Sequence, residues 1–296
     1  FGMSAGMALA ESFLNNTLKN IDEEASSLVD HFTYVIASDG DMQEPITLGS
    51  ASLSGHLGLS KLIVFYDSNE VQISGGVSRS DSTDYGVVFK GFGWHVQKID
   101  GHDHDSIRIA IRKAQKSNQP SLIIGETIMA KGSNGMEGDF NTHGAPLPQD
   151  EIDATKVKLG IKSESFLLPE EVITYFRSDF QSQTNKVKSW NNKLTLMQQN
   201  LDFKTFWTVA IENNLPRLEM PEFDTGASLA TRKAFGTTLD SFSKSLPNMI
   251  GGSADLEPSN YTGNFAKNYF DYQKDNRIGR NIAFGVREFP MAALMN

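Results

Sequence analysis

Short unbroken apolar runs alternate along this chain with longer stretches of helical spacing. TYVIA (33–37) and KLIVFYD (61–67) read as strands buried on both faces, with WHVQKID (94–100) and SLIIGETIM (121–129) as the next two. Between them, residues 46–59, 84–92 and 104–117 repeat their apolar positions every three to four residues, and Asp103 is placed to cap the last of these helices. Ahead of them all, residues 1 to 18 predict a helix whose Met3, Met7, Ala10 and Leu14 share a face, with small residues at Gly2 and Gly6. Strand–helix alternation of this kind predicts an α/β fold, a parallel sheet flanked by helices, with ligands beyond the carboxyl ends of the strands.

The rhythm then changes twice. Residues 131–148 are glycine-rich, polar and long for a connector, as functional loops are. From about 165 to 225 the pattern is helical and mostly polar, opening on Pro169, Glu170 and Glu171 and carrying Trp190 and Trp207. After EMPEFDTG (219–226) a second α/β pattern begins, with a helix over 227–246, a strand over 247–252 and the run NIAFGVREF. The expected division is therefore 1–164, a helical connector 165–225, and the start of a second α/β domain at 226–296.

Composition narrows the chemistry. The 296 residues include no cysteine, which excludes disulfides, thiolate metal sites and cysteine nucleophiles. A formal net charge of -9 argues against a broad nucleic-acid or anionic-membrane surface. No apolar stretch is long enough to span a bilayer and no basic-then-apolar leader opens the chain, so the cytoplasm is the expected compartment. Phe1 and Asn296 both lie inside apolar-periodic runs, and an internal piece of a longer protein is expected.

Candidate chemistry sits at two strand ends. Ser38-Asp39-Gly40-Asp41 follows the first strand, and Asp67-Ser68-Asn69 follows the second, one strand–helix–strand unit later. Emerging at one sheet edge, Asp39, the Asn69 amide oxygen and a backbone carbonyl at Val71 can converge on a hard cation that shares its coordination with a diphosphate. Gly40 would let the backbone approach that phosphate at a helix start. Asp, Asn and Gly are also the common residues of any such turn, and the pattern alone leaves both readings open. His102, Asp103, His104 and Asp105 read as a helix start rather than a second metal site.

Asp39-Gly40 and Asn69 together resemble the thiamine diphosphate motif, and further segments narrow the resemblance to the transketolase family. These are GMSAGMALAE (2–11), LSGHLGLSKLIVFYDSN (53–69), GWHVQKIDGHD (93–103), THGAPL (142–147), ATRKAFG (230–236), GGSADLEPSN (251–260) and FGVREFPMAAL (284–294). The resemblance implies that thiamine diphosphate is the cofactor, held through Mg2+ (or Ca2+ or Mn2+) by Asp39, Asn69 and the Val71 carbonyl. Gly40 would lie beside the diphosphate, with Asp67 in the same turn and Ile73 flanking the cofactor rings. Glu288 would hydrogen-bond the aminopyrimidine and promote the acid–base step there. Asp255 would stand near the reacting centre and His143 near the thiazolium and substrate, while Arg232 and Ser259 would bind the sugar phosphate. Glu44 would be a glutamate of the interface between two sites, shared across a homodimer whose two chains each complete the other's site.

The implied reaction moves a two-carbon ketol unit from a ketose phosphate to an aldose phosphate, and the isolated piece is expected to lack turnover. A deoxyxylulose-phosphate synthase, a dehydrogenase E1 component and a non-catalytic paralogue are the alternatives. Four departures stand out: Ser38 where glycine is usual, Pro45 after Glu44, Ile128-Met129-Ala130 in place of a TIG-type turn, and Gly49 where a second interface carboxylate is expected.

Overall fold

The computed structural model describes residues 1–296, the side chain of Gln181 excepted. It opens on α1 (Gly2–Ile21), then β1 (Thr33–Ser38), the short α2 (Asp39–Gln43), α3 (Pro45–Leu57) and β2 (Leu62–Ser68). A small hairpin of β3 (Val71–Gln72) and β4 (Gly75–Gly76) leads to α4 (Tyr85–Gly91), β5 (His95–Asp100), α5 (His104–Ala114) and β6 (Ser121–Glu126). Three helices follow, α6 (Gln149–Leu159), α7 (Glu170–Met197) and α8 (Leu201–Ala210). The remainder folds as α9 (Thr231–Ser245), β7 (Gly251–Ser253), α10 (Glu257–Asn260), α11 (Gly263–Tyr269), β8 (Asn281–Ala283) and α12 (Glu288–Met295).

Two compact units result. The first holds Tyr34–Leu48 and Ser60–Ser189. Its sheet runs in the order β1-β2-β6-β5, with β6 parallel to both neighbours. That order explains one departure from expectation. The central strands are apolar and covered on both faces, with Leu62, Ile63, Val64, Leu122 and Ile123 all buried. β1 is an edge strand instead, and Ile36 is 84% exposed. β6 also ends at Glu126 rather than 129, because Thr127 turns back to donate its hydroxyl to Asp67 and its N–H to the Ser68 carbonyl, 3.1 Å away. α5 begins where expected, with the Asp103 carboxylate accepting the N–H groups of Asp105 and Ser106.

The second unit holds Gly2–Thr33, Gly49–Leu59 and Trp190–Asn296. One core gathers Leu18, Ala25, Leu28 and Val29 against Phe203, Phe206 and Trp207. Trp207 stacks on Phe203 at 5.2 Å and meets Trp190 at 6.1 Å, whose indole N–H donates to the Leu28 carbonyl. β7 and β8 pair in parallel through three residues each, later and shorter than the strand predicted over 247–252. Gly252 is required there, since a Cβ would stand 2.0 Å from the Ile282 carbonyl oxygen. Among the described residues no helix is long and apolar enough to cross a membrane.

Candidate cofactor site

Ser38 ends β1 and caps α2. Its N–H donates to the Asp41 carboxylate at 2.8 Å and its hydroxyl reaches the same oxygen at 3.1 Å, so the serine suits the turn rather than crowding it. This places Asp39 in the first turn of α2, where it is only 2% exposed. A carboxylate so deeply buried needs donors. Asp39 Oδ1 accepts the Tyr66 hydroxyl at 2.6 Å, and Oδ2 accepts the N–H groups of Asn69 at 3.3 Å and Glu70 at 3.1 Å. The two strand-end loops thus meet at this one carboxylate.

Burial, and next the hydrogen bond to Asp39, push the Tyr66 phenol well above its ordinary value. Glu70 turns the loop with a left-handed φ of 61°. Asn69 is fixed from both sides: its Oδ1 accepts the Val71 N–H at 3.0 Å and its amide donates to Asp67 at 3.4 Å. Asp67, the next-to-last residue of β2, is itself held by the Thr127 hydroxyl.

Beside these loops opens a cleft of about 440 Å³. Of the expected residues, Gly40, Asn69, Val71, Ile73 and His143 line it. Asp39 lies beneath, bonded to the Asn69 backbone. A Cβ on Gly40 would find nothing within 4 Å, so the glycine fronts open space. Ile73 is 73% exposed. His143 follows a single turn capped by the Asp139 carboxylate, and its Nδ1 is buried without a hydrogen-bond partner. An orphaned ring nitrogen and an open glycine facing the same cleft fit a polar ligand that fills it. The oxygens also suit a hard cation: the Asp39 carboxylate and the Asn69 amide each keep acceptor capacity beyond the bonds they make.

Other expected residues stand elsewhere. Glu44 is exposed at the end of α2 and does not line the cleft. His102 accepts the Ile128 N–H through Nε2 at 2.8 Å, and no three His, Asp or Glu side chains gather as a metal site among the described residues.

In the second unit, Glu288 is exposed as the first residue of α12. Asp255 holds a left-handed φ of 65°, in a loop pinned by the buried Ser253 hydroxyl, which accepts the Leu256 N–H and the Asn260 amide. Arg232, in the first turn of α9, and Ser259, on α10, are both exposed.

Tyr66 and Thr127 are the site residues that sequence reasoning missed. Alternation along β2 was the available signal: side chains at 66 and 67 point to opposite faces, so a phenol beside a strand-end acid serves a different neighbour.

Two strand-end loops that bring a buried aspartate, a clamped asparagine and an open glycine to one cleft make this an α/β protein with a candidate site for a cation and a phosphate-bearing ligand. The model of the transketolase thiamine diphosphate binding domain matches residues 1–215, and that of the transketolase pyrimidine binding domain matches 227–296. The chain belongs to the transketolase family. A transketolase of Halalkalibacterium halodurans is 38% identical over 300 residues, covering 99% of this chain and 44% of the relative. One from Staphylococcus epidermidis is 38% identical over 304 residues, 100% of this chain and 45% of the relative. Among solved structures, transketolase from Leishmania mexicana superposes with a TM-score of 0.93 at 32% identity, over 100% of this chain and 44% of that one. A Pichia stipitis transketolase in complex with sedoheptulose 7-phosphate gives 0.92 at 32%, over 99% and 45%. The chain therefore spans a little under half the length of the relatives it matches.

Proposed function

We propose that this chain forms the cofactor-binding part of a transketolase that moves a two-carbon ketol unit between sugar phosphates. Asp39, Asn69 and the Val71 carbonyl hold a divalent cation, Mg2+ foremost, with Ca2+ and Mn2+ as substitutes of the same hard-oxygen preference. Gly40 leaves the backbone open to the diphosphate, Asp67 fixes Asn69, and Ile73 presents an apolar side chain to the rings. When bound, thiamine diphosphate supplies the electron sink for the carbon–carbon bond that is cleaved.

The chain's own groups do the rest. His143 offers a ring nitrogen to a substrate hydroxyl, Glu288 holds a proton at the aminopyrimidine, and Asp255 belongs to the cofactor-binding set near the reacting centre. Arg232 and Ser259 bind the substrate phosphate, for which a guanidinium fork is well matched. Residues 1–164 are read as the diphosphate-binding domain, 165–225 as the connector and 226–296 as the opening of the pyrimidine-binding domain. A cytoplasmic homodimer with sites shared between subunits, and Glu44 at the interface, completes the reading. The isolated 296 residues then lack turnover.

The observation that carries this reading is the 3.3 Å bond between the Asn69 N–H and Asp39, which joins the two loops beneath the cleft. The test is titration calorimetry of the full-length protein with thiamine diphosphate and Mg2+. Saturable binding that Asp39→Asn abolishes is expected. No binding by the unaltered protein would point instead to a non-catalytic relative.

A further inference from the structure

α12 begins with Glu288 and rests on three glycines. A Cβ on Gly2 would stand 2.5 Å from the Ala293 Cβ, one on Gly6 2.1 Å from the Leu294 carbonyl oxygen, and one on Gly49 2.5 Å from the Pro290 Cγ. These separations lie far inside the ~3.5–4.0 Å of ordinary carbon contact. Gly2 and Gly6 belong to α1, Gly49 to α3. At Gly49 the obstacle is a proline ring, which cannot swing aside as a flexible side chain would.

A second, polar tie lies one turn along α3. Ser52 accepts a hydrogen bond from Arg287 Nη2 at 3.2 Å, while Arg287 Nη1 donates to the Phe284 carbonyl at 2.9 Å. Positions 49 and 52 share a face of α3. That face holds residue 287 through the serine and residue 290 through the glycine, so it brackets Glu288 on both sides. The position where a second carboxylate was expected thus has no room for a side chain, and serves a different purpose.

We propose that Gly49 is a positioning residue for Glu288. Its missing side chain lets Pro290 seat against α3, and this fixes the first turn of α12 and the direction of the glutamate. The inference rests on the reading of Glu288 given above. It concerns how that carboxylate is placed rather than what it does.

The test uses the full-length protein and four variants: Gly49→Ala, Pro290→Gly, the double variant, and Glu288→Gln. Affinity for thiamine diphosphate at saturating Mg2+ and kcat with saturating sugar phosphates are both read, alongside the thermal midpoint. Gly49→Ala is expected to weaken the cofactor and lower kcat about tenfold or more, the scale of one hydrogen bond to a charged group. Pro290→Gly removes the seat and should by itself cost part of both. Adding it to Gly49→Ala should bring affinity and kcat back to the Pro290→Gly values, because the glycine at 290 returns the space that the alanine takes. Should Gly49→Ala fail to fold, the double variant still decides: affinity and kcat matching Pro290→Gly support the placement, and values as poor as those of Glu288→Gln overturn it. A Gly49→Ala protein with a lowered midpoint but unchanged affinity and kcat would overturn the inference while leaving the role of Glu288 intact. An unaffected Glu288→Gln protein would overturn that role, and the placement with it.

Discussion

The Tyr66 hydroxyl donates to Asp39 Oδ1 at 2.6 Å, both side chains being buried. The phenol comes from β2 and the carboxylate from the start of α2, so this bond holds one candidate loop against the other strand. Tyr66→Phe leaves a buried acceptor without its donor. In the protein free of cofactor the expected cost is about 1–3 kcal/mol of stability, measured by urea unfolding. With saturating Mg2+ and thiamine diphosphate the loss should shrink, since a cation on Asp39 then compensates the carboxylate. An equal loss in both conditions would show that Asp39 does not meet the cation.

The same phenol sets an alkaline limit. Burial first, then the bond to Asp39, raise the Tyr66 pKa above its ordinary 10.0, and burial followed by the bond to Asp81 does the same for Tyr85. Above that ordinary value the unfolded chain releases both protons while the folded chain keeps them. The folded state then binds more protons, so stability is full below pH 10.0 and falls as pH rises toward the folded values. Thermal midpoints taken from about pH 9 upward should fall more steeply for the unaltered protein than for Tyr66→Phe. Parallel curves would contradict the assignment.

Much of this was legible in the residues. Period and composition located α1, the sheet strands and the helices between them to within a few positions. They did not give the covered face of α1: Met3, Met7 and Ala10 are exposed, while Gly2, Ala5, Ala8, Leu9 and Phe13 are buried, because the helix packs through its small residues. Asp39, Gly40 and Asn69 were legible as candidates for a different reason, since turn residues after strands collect at one sheet edge; Ile73 and His143 were indicated only by the family resemblance. What the pattern could not show was lateral order. TYVIA has the composition of a central strand, yet β1 lies at the edge, a fact settled by pairing and not by its own residues. Gly49 posed the same difficulty. Its significance lies in Pro290, more than two hundred positions away, and no local rhythm connects the two. Tyr66 reads as core until Asp39 is seen beside it.

His143 supplies a third prediction. Its Nδ1 is buried, unpartnered, and part of a side chain lining the cleft with Asn69 and Gly40. Such a nitrogen costs stability until a ligand group meets it. His143→Ala should therefore leave the fold and thiamine diphosphate affinity nearly unchanged. It should lower kcat/KM for sugar phosphates roughly ten- to hundredfold, the cost of leaving an enclosed substrate hydroxyl without its partner. Steady-state kinetics with the full-length protein separates the two. A loss confined to cofactor affinity would move His143 from the substrate to the cofactor.

Arg280 closes the second unit from within. Its Nε donates to the Met249 carbonyl at 2.8 Å, and its Nη2 to those of Ser243 at 3.0 Å and Leu246 at 2.7 Å. The guanidinium also lies over the Tyr269 ring, 3.9 Å from its centre. Burial lowers its pKa, yet a guanidinium remains charged in a folded protein. These bonds place a cation on the carbonyls of Ser243 in the last turn of α9, of Leu246 at its C-cap and of Met249 just beyond, the sign that a helix C-terminus favours. A lysine concentrates its donors at one point and cannot reproduce the fork. Arg280→Lys is therefore expected to cost about 2–4 kcal/mol, the loss of one or two hydrogen bonds from a charged donor. Arg232 stands near the other end of α9, about 20 Å away at 1.5 Å per residue, so KM for a sugar phosphate should hold well below the unfolding midpoint. Urea unfolding with an unchanged m-value, set beside kinetics on the same preparation, checks both halves. A KM that rises while stability holds would mean that Arg280 acts on the phosphate site and not on the helix end.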